Sequence, residues 1–226
     1  MASLKKLKVQ LISDVVWPWC YVAQRHLRLA SKQTGIPVTI EWLPFFLNPN
    51  MKPEGENLME HLANKYGPSA VARFGQPGNP LDVAGSKVGI TFRSDRRIVP
   101  TMDCHRAIEW CRHEYKDDDK VDLLMESMFK AYFSSGIDIS KIDNIISLAQ
   151  EVEGIDASKL KAALENKELF QKEVNEKIKT FQYGLNIRGV PYFILKAEGD
   201  DKPVTFSGAQ PIDIIAEQLK LVHDEE

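Results

Sequence analysis

The 226-residue sequence predicts an α/β fold, a central mixed sheet in the order βαβ…αββα with a block of α-helices inserted after the second strand. Three observations carry this expectation. The chain opens on two alternating apolar runs separated by a segment of helical period, and it closes on two short apolar runs followed by another helical segment. Between these ends the pattern is helical. A strand–helix–strand opening needs a parallel crossover and a closing hairpin is antiparallel, so the sheet is mixed.

Leu7-Lys8-Val9-Gln10-Leu11-Ile12 alternates apolar and polar residues before turning continuously apolar, as a strand entering a sheet core does, and it ends at Ser13-Asp14. From Cys20 to Gln33 the apolar positions Tyr21, Val22, Leu27, Leu29 and Ala30 follow a helical pattern that Gly35 and Pro37 stop. Val38, Ile40 and Trp42 alternate through the next strand, which Pro44 ends. Asn48 to Gly55 and Gly75 to Pro80 are rich in Pro, Gly and Asn and read as loops.

Helices are expected over Thr101–Glu114, Asp118–Phe133, Ser140–Glu151 with Ser140 as cap, and Asp156–Glu165 with Asp156 as cap. Phe170, Val174, Ile178, Phe181 and Leu185, spaced by threes and fours, predict one long helix over Glu168–Leu185. Pro191–Lys196 and Pro203–Phe206 predict a hairpin around Glu198-Gly199-Asp200-Asp201, and Pro211 stands in the first turn of a last helix, Ile212–His223.

Composition sets aside several classes. Hydrophobic residues at 43% and charged residues at 27% match an ordinary globular chain, not a disordered or collagenous one. A net charge of −3 supplies no field that draws nucleic acid or anionic lipid, so neither a nucleic-acid nor a membrane partner is expected. The three cysteines suit a reducing compartment. On a helix, Cys104 and Cys111 would stand roughly 10 Å apart, beyond disulfide reach. The basic N-terminus has only a short apolar run that stops at Asp14, which predicts no signal peptide and a cytoplasmic protein. The histidines show no metal-ligand spacing, so no metal is expected.

The segment most informative about chemistry is Ser13-Asp14-Val15-Val16-Trp17-Pro18-Trp19-Cys20, which joins the first strand to the first helix. Amides at a helix N-terminus stabilise an anion, so a thiolate held there has a depressed pKa. Other motifs accompany it: Phe46-Leu47-Asn48-Pro49 with Pro53-Glu54-Gly55, His105-Arg106, Ala131-Tyr132-Phe133 with Asp138-Ile139-Ser140, Gly189-Val190-Pro191-Tyr192-Phe193, and Ser207-Gly208-Ala209-Gln210-Pro211.

In these residues, and over nearly its whole length, the chain resembles the DsbA superfamily. The likeness is to its FrnE-like branch, related to 2-hydroxychromene-2-carboxylate isomerases and kappa-class glutathione transferases. The resemblance implies a thioredoxin fold, with residues 1–52 and 168–226 forming the thioredoxin-like domain around an inserted α-helical domain, 53–167. It also implies a cis-proline at Pro191 facing the active-site loop, oxidoreductase activity on thiols, glutathione as co-substrate with no tightly bound cofactor, and a homodimer. One departure matters. The disulfide-exchanging members carry Cys-Pro-Trp-Cys, whereas this loop reads Trp17-Pro18-Trp19-Cys20. Indole has no ionisable nucleophile at neutral pH, so two-thiol cycling through this loop is excluded. Nor is Trp17 the serine that commonly stands there in the transferases and isomerases.

Cys20 is then the one catalytic candidate, either a reactive single thiol or a small buried one packed under Trp17. Trp17, Pro18, Trp19 and Asn48 are candidate binding residues at the loop, the indoles suiting a small aromatic substrate or simply the core. Val190 and Pro191 would pair through backbone groups with a thiol peptide such as glutathione, or merely begin a strand. Ala209 and Gln210 would hold a carboxylate at the last helix, or only cap it. His105 and Arg106 would face the loop, or serve helix electrostatics alone. Asp117-Asp118-Asp119 reads as a capped, solvated turn. Three functions remain open: a single-cysteine oxidoreductase dependent on thiols or glutathione, a kappa-like glutathione transferase or isomerase, and a catalytically silent protein that binds thiol peptides or acts as a scaffold.

Overall fold

The computed structural model describes residues 6–74, 76–196 and 203–224. Strand β1 (Leu7–Ser13) leads through a tight loop into α1 (Pro18–Thr34), and β2 (Val38–Pro44) follows. Pro18 fills the first turn of α1, where its missing N–H costs nothing, and Gly35 ends the helix in the left-handed region at φ 74°. Next come β3 (Glu56–Asn57), α2 (Leu58–Tyr66), α3 (Pro68–Arg73), α4 (Pro80–Lys87) and β4 (Arg97–Ile98), with β3 and β4 pairing antiparallel. The helices α5 (Met102–Tyr115), α6 (Asp118–Lys130), α7 (Ile142–Gln150), α8 (Ala157–Glu165) and α9 (Gln171–Lys177) lead to the hairpin strands β5 (Tyr192–Lys196) and β6 (Val204–Ser207), and then to α10 (Ile212–Asp224).

The main sheet has the order β2-β1-β5-β6, parallel between β1 and β2 and antiparallel elsewhere. This is the mixed sheet that the βαβ opening and the closing hairpin predict. Its register positions the site: Ile12 pairs with Tyr192, so Pro191, one residue before β5, meets the carboxyl end of β1 where the loop to α1 departs. The Val190–Pro191 peptide is cis. One hydrophobic core runs from the sheet into the helical block, linking Val9, Leu11 and Phe193 with Phe129, Phe133 and Leu160. Fully burying side chains of this size contributes roughly 1.5–3 kcal/mol each. Some polar groups within the core are paired. Asp122 on α6 accepts from Trp42 Nε1 and Gln24 Nε2, each at 2.8 Å, tying β2 and α1 to the helical block.

Several local expectations need correction. Residues 56–98, where the sequence reading marks only the loop Gly75–Pro80, also hold α2, α3, α4 and the β3–β4 ladder. Ser140 is not a cap: its hydroxyl donates to Asp138 Oδ1 at 2.6 Å, and α7 starts after Lys141. The long helix over 168–185 does not form as one piece. Phe170 takes the left-handed conformation at φ 62°, α9 begins only at Gln171, and the chain widens into a π-helical turn over Ile178–Gly184. At this break the Arg106 guanidinium bonds the Leu169 carbonyl, as it does those of Leu164 and Asn166 at the end of α8. The predicted helix over 118–133 likewise ends as a π-helical turn, Ala131–Ser135. Asp156 does cap α8, accepting from the Ser158 and Lys159 amides, and Asp117 caps α6 in the same way. The predicted turn Glu198-Asp201, and Gly75 in the second loop, lie outside the described residues. All three cysteines are free and buried.

Candidate active site

The loop after β1 is held from both sides. Trp17 N donates to the Asp14 carbonyl at 3.0 Å, Cys20 N donates to the Trp17 carbonyl at 2.9 Å, and Asp14 Oδ2 accepts from Leu47 N at 2.9 Å. These bonds make residues 14–20 a rigid entry to α1, with Trp17 at the N-cap position and no side chain capping the first-turn amides. An amide end left open in this way favours an anion.

Cys20 lies under this entry with no exposed surface. Burial pushes its thiol up to about 12, which the Ser13 hydroxyl offsets only in part. A sulfur without solvent contact and with its thiol raised in this way favours the packed-thiol reading of Cys20 over the reactive one. Asp14 is equally buried, and desolvation raises its carboxyl from 3.8 to about 6. His105 on α5 faces it, Nε2 to Oδ1 at 3.9 Å, while burial lowers the imidazole from 6.5 to about 4. Of the pair His105-Arg106, then, the histidine sits at the base of the loop. Arg106 points away from it, donating to Ala163, Leu164, Asn166 and Leu169 carbonyls and pairing with Asp103.

In front of the loop is a cavity of about 310 Å³. Val16, Trp17, Pro18 and Trp19 form one wall, with Leu47 and Asn48 beside them. The facing wall comes from Leu58 and Leu62 of α2, Leu81 of α4, and Ile98 of β4. The two indoles do both things the sequence allows, since each packs on the core and each lines the cavity. Phe45 is core, and Phe46 stacks edge-on against His105 with ring centroids 5.4 Å apart.

The remaining candidates lie elsewhere. Val190 lines a separate open groove of about 380 Å³ with Leu185, Tyr192, Ser207 and Gly208, and Gly208 N donates to the Pro191 carbonyl at 2.8 Å. Ala209 packs against the core. Gln210 is engaged in its own turn. Its backbone N–H donates to Gly208 O at 2.9 Å, its side-chain Nε2 donates to Ser207 O at 2.7 Å, and its carbonyl meets His26 Nδ1 at 2.8 Å. Trp17, Pro18, Trp19 and Asn48 are thus brought together in one cavity, while Val190 belongs to another surface.

The facing wall is what the sequence reading missed. Part of it carried a signal: Asn57 before Leu58 and Asn79-Pro80 are helix-start patterns, and both asparagines do cap, accepting from Met59, Glu60 and Leu81 amides. Arg96, also on the cavity, has no local pattern that would mark it.

Residues 8–220 match the family model described as DSBA-like thioredoxin domain. Over 187 residues, 83% of this chain and 86% of the other, the chain is 27% identical to YwbO, an uncharacterized protein of Bacillus subtilis (strain 168). Among solved structures it is similar to a protein described as a probable DsbA oxidoreductase from Streptomyces coelicolor, with a TM-score of 0.81 and 24% identity over 97% of this chain and 91% of that one. It is also similar to the cytosolic disulfide reductase DsbM from Pseudomonas aeruginosa with GSH, with a TM-score of 0.58 and 17% identity over 95% of this chain and 98% of that one. At these identities the two structures establish a shared fold.

Proposed function

The chain belongs to the DSBA-like thioredoxin domain family, and we propose that within it this protein works as a glutathione-dependent transferase or isomerase rather than as a disulfide exchanger. The observation that carries this reading is the pairing of an apolar cavity against Trp17 with a cysteine sealed beneath it. Dithiol exchange needs a nucleophilic sulfur at the position of Trp17 and a resolving sulfur that can reach it. This site instead offers a surface for an apolar or aromatic co-substrate and an uncapped helix end for a thiolate that arrives with its own molecule.

In the conjugation version, the glutathione thiol gives up its proton to solvent water, the thiolate attacks an electrophilic carbon, a C–S bond forms and the leaving group departs with the bonding pair of the bond that breaks. In the isomerase version the same thiolate adds and is later expelled, so glutathione is regenerated. The α1 amides favour the thiolate over the thiol, and Trp17 and Trp19 hold the co-substrate by its apolar face. The groove of Val190 and Gly208 is the proposed seat of the peptide portion, since the β1–β5 register carries it to the same end of the sheet. The GSH-bearing DsbM structure supports the compatibility of the fold with that ligand. A cytoplasm, with its glutathione pool, is the proposed compartment; no described helix is long and apolar enough to cross a membrane.

The test is a conjugation assay with glutathione and 1-chloro-2,4-dinitrobenzene, run beside calorimetric titration of glutathione. Saturable binding and a rate above the uncatalysed one support the reading, and Cys20→Ser should leave that rate unchanged. Binding without turnover would favour the silent, peptide-binding alternative, and no binding would remove glutathione from the account.

A further inference from the structure

The charged groups on the cavity are all basic: His61, Lys65 and Arg96 line it, and no aspartate or glutamate does among the described residues. Two of these are already occupied or free to stay in water. His61 pairs with Glu56 at 2.9 Å, and Lys65 is exposed at the rim beside the Tyr66 ring. Arg96 is neither. It is only 4% exposed, and among the described residues no carboxylate lies within ion-pair distance of it.

How this chain treats a buried guanidinium that serves structure is plain from Arg106, the other nearly buried arginine among the described residues. Arg106 donates to four carbonyls and pairs with Asp103 at 2.7 Å. Arg25 and Arg112, whose Nε atoms also lack an acceptor, each have a carboxylate, Glu126 at 2.7 Å and Glu109 at 2.6 Å. Arg96 donates to the Arg93 carbonyl, hydrogen-bonds the Tyr132 hydroxyl, and meets the faces of Tyr132 and Phe133 at 5.7 and 5.1 Å from its Cζ, all of them neutral groups. Its Nε donates to nothing among the described residues. Asp82 and Asp95 act on it only through space, and Asp95 is spent on Arg93. The π-helical turn Ala131–Ser135 supplies the two rings, so the cradle is built by the fold. A guanidinium cannot shed its proton to escape burial as a lysine would, and among the described residues no carboxylate touches this one, so an anion from outside would complete the site.

We propose that the cavity against Trp17 takes an amphipathic carboxylate, its apolar tail against the indoles and Leu58, Leu62 and Leu81 and its carboxylate on Arg96. This deepens the preceding section's reading that the cavity holds the co-substrate, and it depends on that cavity being a ligand site, not on glutathione chemistry. A carboxylate accepts two parallel bonds from a guanidinium fork, which a neutral alcohol or a point-charge amine does not reproduce.

The test uses N-phenyl-1-naphthylamine, a neutral apolar fluorophore, as reporter on the full chain, displaced by either decanoate or 1-decanol. The expected result is displacement by decanoate at a concentration roughly tenfold or more below that of decanol, the worth of a charge-assisted contact. Arg96→Gln should abolish the preference while keeping decanol displacement, Arg96→Lys should keep part of it, and Lys65→Gln should keep all of it. Equal displacement by the two on the wild-type protein overturns the proposal and needs no folded variant. Loss of the preference in Lys65→Gln overturns the assignment to Arg96. If the reporter does not bind at all, the cavity is no ligand site and the co-substrate reading falls as well. A silent conjugation assay beside an intact decanoate preference removes glutathione alone.

Discussion

His105 Nε2 and Asp14 Oδ1 face each other at 3.9 Å beneath the loop that leads to Trp17, and neither atom has a hydrogen-bond partner among the described residues. One member is an acid and the other a base, and burial opposes the charge of both. Desolvation raises Asp14 from 3.8 to about 6 and lowers His105 from 6.5 to about 4. The pair therefore contributes two opposed slopes to how stability responds to acid.

For Asp14, the folded protein binds the proton more readily than the unfolded chain does, so its stabilising contribution is full below 3.8 and is lost as pH rises through about 6. For His105, the folded protein resists protonation, so stability is lost as pH falls from 6.5 toward about 4. Between these limits the two slopes oppose each other and the pair's net contribution to the wild-type profile should be nearly flat. Asp14→Asn should lose stability on acidification, and His105→Gln should gain it, each by roughly 3 kcal/mol at most. Urea unfolding at several pH values between 4 and 7, followed by tryptophan fluorescence, checks this. Parallel profiles for all three proteins would sink it.

Cys20 should behave as core. In the native protein it should resist iodoacetamide and oxidised glutathione, reacting only once urea opens the fold, because its sulfur has no exposed surface and its thiol is raised to about 12. Mass spectrometry before and after denaturation reads this directly. An adduct on Cys20 under native conditions would restore the single-cysteine reading.

Trp17→Cys would place a thiol at the N-cap of α1, three residues before Cys20, where the Cys20 N–H to Trp17 carbonyl bond of 2.9 Å already holds the two backbones within one turn. The expected outcome is an internal disulfide, seen as a loss of two hydrogens by mass, together with reduction of insulin disulfides that the wild type lacks. Disulfide formation without insulin reduction would mean that the substrate surface, and not only the nucleophile, differs from that of disulfide-exchanging relatives.

Arg106→Met should cost several kcal/mol, roughly 3 or more, because it strips donors from four carbonyls at the end of α8 and leaves Asp103 without its 2.7 Å partner. It should leave displacement of the neutral fluorophore unchanged, since Arg106 does not line the cavity. Denaturant midpoints and reporter titration together separate this structural arginine from Arg96.

The strands, the first and last helices and the mixed sheet were legible because their signals are local. Alternation marks β1 and β2, Gly35 stops α1, and Asp117 and Asp156 cap the helices that follow them. The reading failed where the chain departs from the local pattern. The apolar spacing through Phe170 and Ile178 is helical, yet Phe170 takes φ 62° and the preceding Leu169 carbonyl is bound by Arg106, more than fifty residues away in sequence.

The sequence alone determined that the site cannot cycle two thiols, because Trp17 stands where a nucleophile would have to be and an indole has none to offer. It also determined the βαβ…αββα order, since period-two and period-three-to-four patterns follow from the geometry of strand and helix. Only the tertiary structure decided that Cys20 is sealed, that Asp14 meets His105, and that Arg96 comes to rest on an apolar cavity that no carboxylate lines among the described residues. Burial and charge environment depend on which segments pack together across the fold, and that information is not carried by the neighbours of a residue in the chain.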